Sequence, residues 1–151
     1  MSAVAPGGES SGDTGAGRRL LPHVAGYVVE AWGPDLASCA TQALQALVEG
    51  FAAVPDVPVT QLVPLEAQPS GAEDMLVSLL EDVIDGFDVF SVVPVRFHLV
   101  ETEDGGIAGD MEVVPAEGVD LIGPVPKGVS HHTLSMAAFE GGRRCRVLIE
   151  L

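Results

Sequence analysis

Residues Lys127–Leu151 read KGVSHHTLSMAAFEGGRRCRVLIEL. Taken with a period of two, this stretch splits into two strands and a turn. His132, Leu134, Met136 and Ala138 fall on one face of the first strand. Cys145, Val147, Ile149 and Leu151 fall on one face of the second. Glu140-Gly141-Gly142 supplies the turn, because glycine has no Cβ and reaches positive φ without a clash. An apolar strand running into Leu151 implies that a sheet ties this end down, since loose ends fray. The expectation is a hairpin that carries Glu150 and the carboxylate of Leu151 to one spot.

Upstream, the pattern alternates between strand and helix. Tyr27, Val29 and Ala31 face one way in a strand that follows a leading loop at His23, and Val28, Glu30 and Trp32 face the other. Pro34-Asp35 starts a helix that Asp35 can cap, with Leu36, Ala40, Leu44, Leu47, Val48 and Phe51 as its apolar stripe and Gly50 loosening its end. Pro55 and Pro58 bracket a loop, and Val59 to Leu65 reads as a strand that Pro64 pushes to an edge. Ser70-Gly71-Ala72-Glu73 has the form of a capping box before a second helix. Its stripe is Leu76, Leu79, Leu80, Val83, Ile84 and Phe87, and the pattern returns to strands after Gly86. Val95, Phe97 and Leu99 then alternate with Arg96, His98 and Val100, a turn follows at Glu103-Asp104-Gly105-Gly106, and Ile107 to Val114 pairs back. Pro115 to Pro126 is a loop with a short apolar segment at Val119 to Ile122. Two helices on a mixed, mostly antiparallel β-sheet make an α+β sandwich.

Composition sets bounds on function. The 151 residues suit one domain, and 47% are hydrophobic with one Trp and one Tyr, so the core must be aliphatic. Seven Lys and Arg face 22 Asp and Glu, a formal charge of −15, which repels phosphate backbones and argues against direct nucleic-acid binding. The basic cluster is Arg143, Arg144 and Arg146. No apolar run approaches the roughly 20 residues of a membrane span. Met1 to Gly17 is rich in Gly, Ser and Ala, so residues 1–19 are expected to form a disordered tail and the folded domain to run over 20–151. Met1 to Arg19 has no apolar core of the kind a signal peptide carries, which points to a cytoplasmic protein with Cys39 and Cys145 reduced and buried.

Lys127, Ser130, His132 and Leu134, then a hairpin, then Val147-Leu148-Ile149-Glu150-Leu151, resemble the end of an archease. Archeases open with His-Thr-Ala-Asp, a strand and a glycine. His23 and Ala25 match that element, Val24 and Gly26 do not, and Gly26 stands where the family has an aspartate that helps bind a divalent metal ion. The resemblance implies the same α+β sandwich and a non-catalytic protein that promotes guanylylation and turnover of an RtcB-type RNA ligase in tRNA splicing or RNA repair. It assigns metal contacts to Glu150 and Leu151, for calcium or another divalent cation, weakened by Gly26. It makes Lys127 a functional lysine, although the acid often found two positions earlier is Val125 here. His132 joins Lys127 as a partner contact, the partner being the ligase.

Read from the residues themselves, the chain has no nucleophile motif, no phosphate-cradling glycine loop and no Cys/His zinc spacing. His131 and His132 are adjacent in a strand and so point to opposite faces, one exposed and the other packed or hydrogen-bonded. The outward face of the second helix carries Glu73, Asp74, Glu81, Asp82, Asp85 and Asp88 without a basic partner, as a solvated face or as a docking surface for a basic protein. Two alternatives stand beside the accessory role: a divergent archease-fold binding module that has lost both metal and ligase, and a small hydrolase built on Glu150 and His132.

Overall fold

The computed structural model describes residues 15–53 and 61–151. Its first strand, β1 (Gly17–His23), turns at Val24-Ala25 and pairs antiparallel with β2 (Gly26–Gly33). Order therefore begins at least three residues before Leu20, and Gly17 to Arg19 are not tail. The rest of the expected tail, 1–14, lies outside the described residues, as do the loop at Pro55 and Pro58 and the start of the strand expected at Val59. β1 escaped the pattern because polar contacts hold it. The Arg18 guanidinium donates to Glu49 at 2.6 Å, to Gln42 at 2.6 Å and to Gln45 at 3.0 Å, and Arg19 pairs with Glu30 across the ladder.

The first helix, α1 (Leu36–Glu49), starts as expected: the Ser38 N–H donates to Asp35 Oδ1 at 2.7 Å. A two-residue strand, β3 (Ala52–Ala53), and β4 (Gln61–Ala67) follow. The second helix, α2 (Ala72–Phe90), corrects two expectations. It has no capping box: Gly71 is its N-cap, no side chain caps it, and Ser70 donates to the Gln68 carbonyl instead. It also runs through Gly86 to Phe90, stopping where Ser91 takes a left-handed conformation (φ 54°). The remaining strands are β5 (Val92–Glu101), β6 (Ile107–Pro115), β7 (Asp120–Leu121), β8 (Gly128–Phe139) and β9 (Gly142–Glu150).

The strands form a four-stranded sheet ordered β1-β2-β9-β8, a three-stranded sheet ordered β4-β6-β5, and the short pair β3-β7. Every ladder among the described residues is antiparallel, so the mixed component expected of the sheet is absent there. Both helices touch both sheets, α1 through β2, β9 and β5, and α2 through β8, β4 and β5. The core between them is aliphatic, as the composition requires. Leu44, Leu47, Leu76, Leu79, Leu80, Val29 and Ile149 are fully buried, and Phe51 meets Phe87 edge-on at 5.3 Å. Tyr27 brings its hydroxyl into this layer by donating to the Leu47 carbonyl at 3.1 Å. Cys39 and Cys145 are buried free thiols, and the hydrogen bond with Cys39, then burial, pushes the Cys145 thiol up from the ordinary value.

Candidate functional site

The hairpin expected over Lys127–Leu151 forms, with Gly141 taking the positive φ (93°). On β9, Cys145, Val147 and Ile149 face the core as expected, and Leu148 is buried on the other face opposite Val28. β8 breaks its period. Ser130 pairs with Leu148 and Ser135 with Arg146, so residues 131–134 bulge opposite Val147 alone. Leu134 and Met136 still pack on the core, and Ala138 keeps the register of Met136 but is exposed near the hairpin end, while His132 is exposed within the bulge. His131 is exposed too, so neither histidine packs. Thr133 sits at φ 60°, an unusual conformation for a β-branched residue, and its hydroxyl donates to the His132 carbonyl at 2.5 Å. The His132 N–H donates to the buried Ser130 hydroxyl at 3.1 Å. Nothing in the alternation of the sequence signals this bulge.

Beside the bulge lies a corner built by backbone. Glu150 pairs with Gly26 of β2 on one side and with Gly128 of β8 on the other. The Lys127 N–H donates to the Glu150 carbonyl at 2.7 Å, and the Leu151 N–H to the Ala25 carbonyl at 3.1 Å. Across the β1-β2 turn His23 pairs with Gly26, and its Nδ1 accepts from the Ala25 N–H at 3.0 Å. The structure thus brings together Lys127, Glu150, Leu151, Gly26 and His23, all of them positions that the family resemblance singles out. The Lys127 and Glu150 side chains are exposed, while Leu151 packs against the core. His132 stands farther along the sheet: its bulge lies opposite Val147, three residues along β9 from Glu150 or roughly 10 Å of strand.

The metal site that the resemblance implies does not fit these residues. A hard divalent cation takes six or more oxygens, and Glu150 is the one side-chain carboxylate of the proposed set. Gly26 leaves no room for another. A Cβ there would lie 2.0 Å from the Ile149 carbonyl oxygen, so an aspartate could not enter without moving β9.

Over residues 19–151 the chain matches the family described as Archease protein family (MTH1598/TM1083). This chain belongs to the archease family. A probable protein archease of Mycobacterium tuberculosis is 33% identical over 140 residues, covering 91% of this chain and 76% of that one. The fold of this archease is also that of two solved structures. The solution structure of Methanobacterium thermoautotrophicum protein 1598 superposes with a TM-score of 0.72 at 20% identity, over 89% of this chain and 99% of the other. The crystal structure of TM1083 from Thermotoga maritima, described as an archease, possible chaperone, gives 0.63 at 15% identity, over 89% and 97%. Among the described residues of this archease no helix is long and apolar enough to cross a membrane.

Proposed function

We propose that this chain is a non-catalytic accessory protein that promotes guanylylation and multiple turnover of an RtcB-type RNA ligase, in the cytoplasm, during tRNA splicing or RNA repair. The observation that carries the reading is the corner. Lys127 and Glu150 are exposed, of opposite charge, and held side by side by main-chain hydrogen bonds. Such a tip can present a cation and a carboxylate to another protein's site with little ordering cost, because the backbone is already fixed. His132, on the bulge of the same edge strand and roughly 10 Å of strand from Glu150, supplies a second contact.

Charge supports a protein partner over RNA. Of the seven basic side chains, Arg18, Arg19, Arg96 and Arg146 are in ion pairs, and Arg144 lies over Trp32 at 5.2 Å. Little positive surface remains to neutralise phosphates, while the net charge of −15 attracts a basic ligase. On this reading the RNA contacts belong to the ligase.

The test is ligase guanylylation and multiple-turnover ligation with and without the chain. Wild type stimulates both. Lys127→Ala lowers stimulation about tenfold or more, a loss of at least ~1.4 kcal/mol, with the melting temperature unchanged. Absence of stimulation by wild type overturns the reading. A second reading, an archease-fold binding module without ligase activation, is favoured by Gly26, whose contact with Ile149 leaves the family's aspartate no place. Wild type that fails to stimulate but still forms a stable complex with another protein supports it.

A further inference from the structure

A cavity of about 610 Å³ opens between the C-terminal half of α2 and the β4-β6-β5 sheet, not the sheet that carries the Lys127 corner. Pockets for small organic groups span roughly 300–1,000 Å³, so this one admits a side chain with its neighbours. Val63 and Leu65 of β4, Met111 of β6 and Val92 form an apolar floor. Phe90 stands at the mouth, 74% exposed, with Leu62 and Val89 at 60% and 66% nearby in the chain. The helical wall carries Asp82 and Asp85, one turn apart, and none of the described lining residues is basic. Gly86 follows Asp85 in the lining, one turn on from Asp82. A Cβ added there would meet only the Val92 Cγ2 at 3.8 Å and the Met111 Cε at 4.0 Å, so the missing side chain leaves space open.

These carboxylates are poorly placed for the protein alone. They sit toward the negative end of the α2 dipole, whose last turn has no basic residue. Burial, then Asp85 and Glu81, push the Asp82 carboxyl up from its ordinary value. A purely apolar occupant would bury them without counter-charge, an anion would be repelled, and a small hydrated cation would leave the floor wet. A second copy of the chain brings another −15 and is disfavoured.

We infer that this groove binds a cation carried on an apolar stem, the chemistry of a lysine or arginine side chain set in an apolar segment of a partner protein. The site is separate from the corner, and the inference does not depend on the ligase reading.

The probe is acetyl-Leu-Arg-Leu-amide, titrated into the full chain by NMR and compared with the same peptide carrying Glu or norleucine in place of Arg. The Arg peptide should shift the methyl signals of Val63, Leu65 and Met111, the norleucine peptide should bind about fivefold or more weaker, and the Glu peptide should not bind. Asp82→Asn with Asp85→Asn should weaken the Arg peptide about tenfold with no change in shape. Gly86→Leu should fill the cavity, keep or raise the melting temperature and abolish binding. Equal binding of the three peptides, no binding of the Arg peptide to wild type, or unchanged binding in Gly86→Leu would each overturn the inference. Concentration-dependent self-association that Gly86→Leu abolishes would overturn the choice of occupant in favour of a second copy.

Discussion

Gly26 and Gly128 flank Glu150 on its two sides, and they differ in the room they leave. A Cβ on Gly26 would strike the Ile149 carbonyl, whereas one on Gly128 would meet nothing within 4 Å. Gly26→Asp is therefore expected to lower stability by ~2 kcal/mol or more without creating a cation site. Gly128→Asp should be tolerated because that space is open, and its carboxylate would stand beside Glu150, since directly opposed residues in an antiparallel pair project to the same face about 5 Å apart. Calcium titration by calorimetry should show weak binding by wild type, at least about fivefold tighter binding by Gly128→Asp, and loss of that gain when Glu150→Gln is added. Equal affinities would show that Glu150 does not face Gly128. The sequence could name Gly26 as the departure from the family, but only the register revealed that the neighbouring glycine is the one with space. Glu112 gives a second test at this scale. Hydrogen bonds from Arg96 and His98 hold its carboxyl down from the ordinary 4.5 to about 2. A depressed folded-state value stabilises above about pH 4.5, and the contribution is lost as the pH falls toward about 2. Glu112→Gln should thus lose less stability than wild type between pH 6 and pH 3 in urea titrations, and an identical loss would refute the linkage.

At the scale of elements, apolar periodicity was readable and polar improvisation was not. Both helical stripes, the inward faces of β2, β5 and β9, and the Gly141 turn follow from side-chain spacing, which burial enforces. β1 was hidden because its strand is fastened by Arg18 and Arg19 instead of by alternation. The capping box failed for a similar reason: Glu73 turns its carboxylate to the Met136 N–H of β8 at 3.3 Å, satisfying a sheet edge instead of its own helix. Glycine at position 86 suggested a stop, yet Phe87 continues the helix because its ring packs on Phe51. The true stop, Ser91, is strained. Ser91→Gly should relieve the left-handed conformation and add ~1 kcal/mol, seen as a melting temperature about 2–4 °C higher. A fall would mean that the serine side chain makes up for its backbone.

For the whole molecule, two sheets are joined through helices that touch both, so damage to an edge is felt in the core. Arg18 links β1 to α1, and α1 packs on β2, β9 and β5. A chain beginning at Leu20 should consequently melt at least about 2–4 °C below one beginning at Gly15, corresponding to ~1 kcal/mol. Equal melting temperatures would show that β1 contributes nothing. The acid excess acts at the same scale. Glu30, Glu49 and Glu112 are the acidic residues in ion pairs among the described residues, so added salt should stabilise the fold by screening self-repulsion while slowing association with a basic partner.

Trp32 is the single tryptophan of the chain, and its surroundings make it a built-in optical reporter. Its indole would collide with any side chain at Gly17, and it has the Arg19 and Arg144 guanidinium groups over it at 6.0 Å and 5.2 Å. Its emission is thus sensitive to whether β1 is in place and whether the β8-β9 hairpin is seated. Fluorescence and far-ultraviolet circular dichroism followed together through a thermal ramp would separate the peeling of the first strand from collapse of the whole, with no label added.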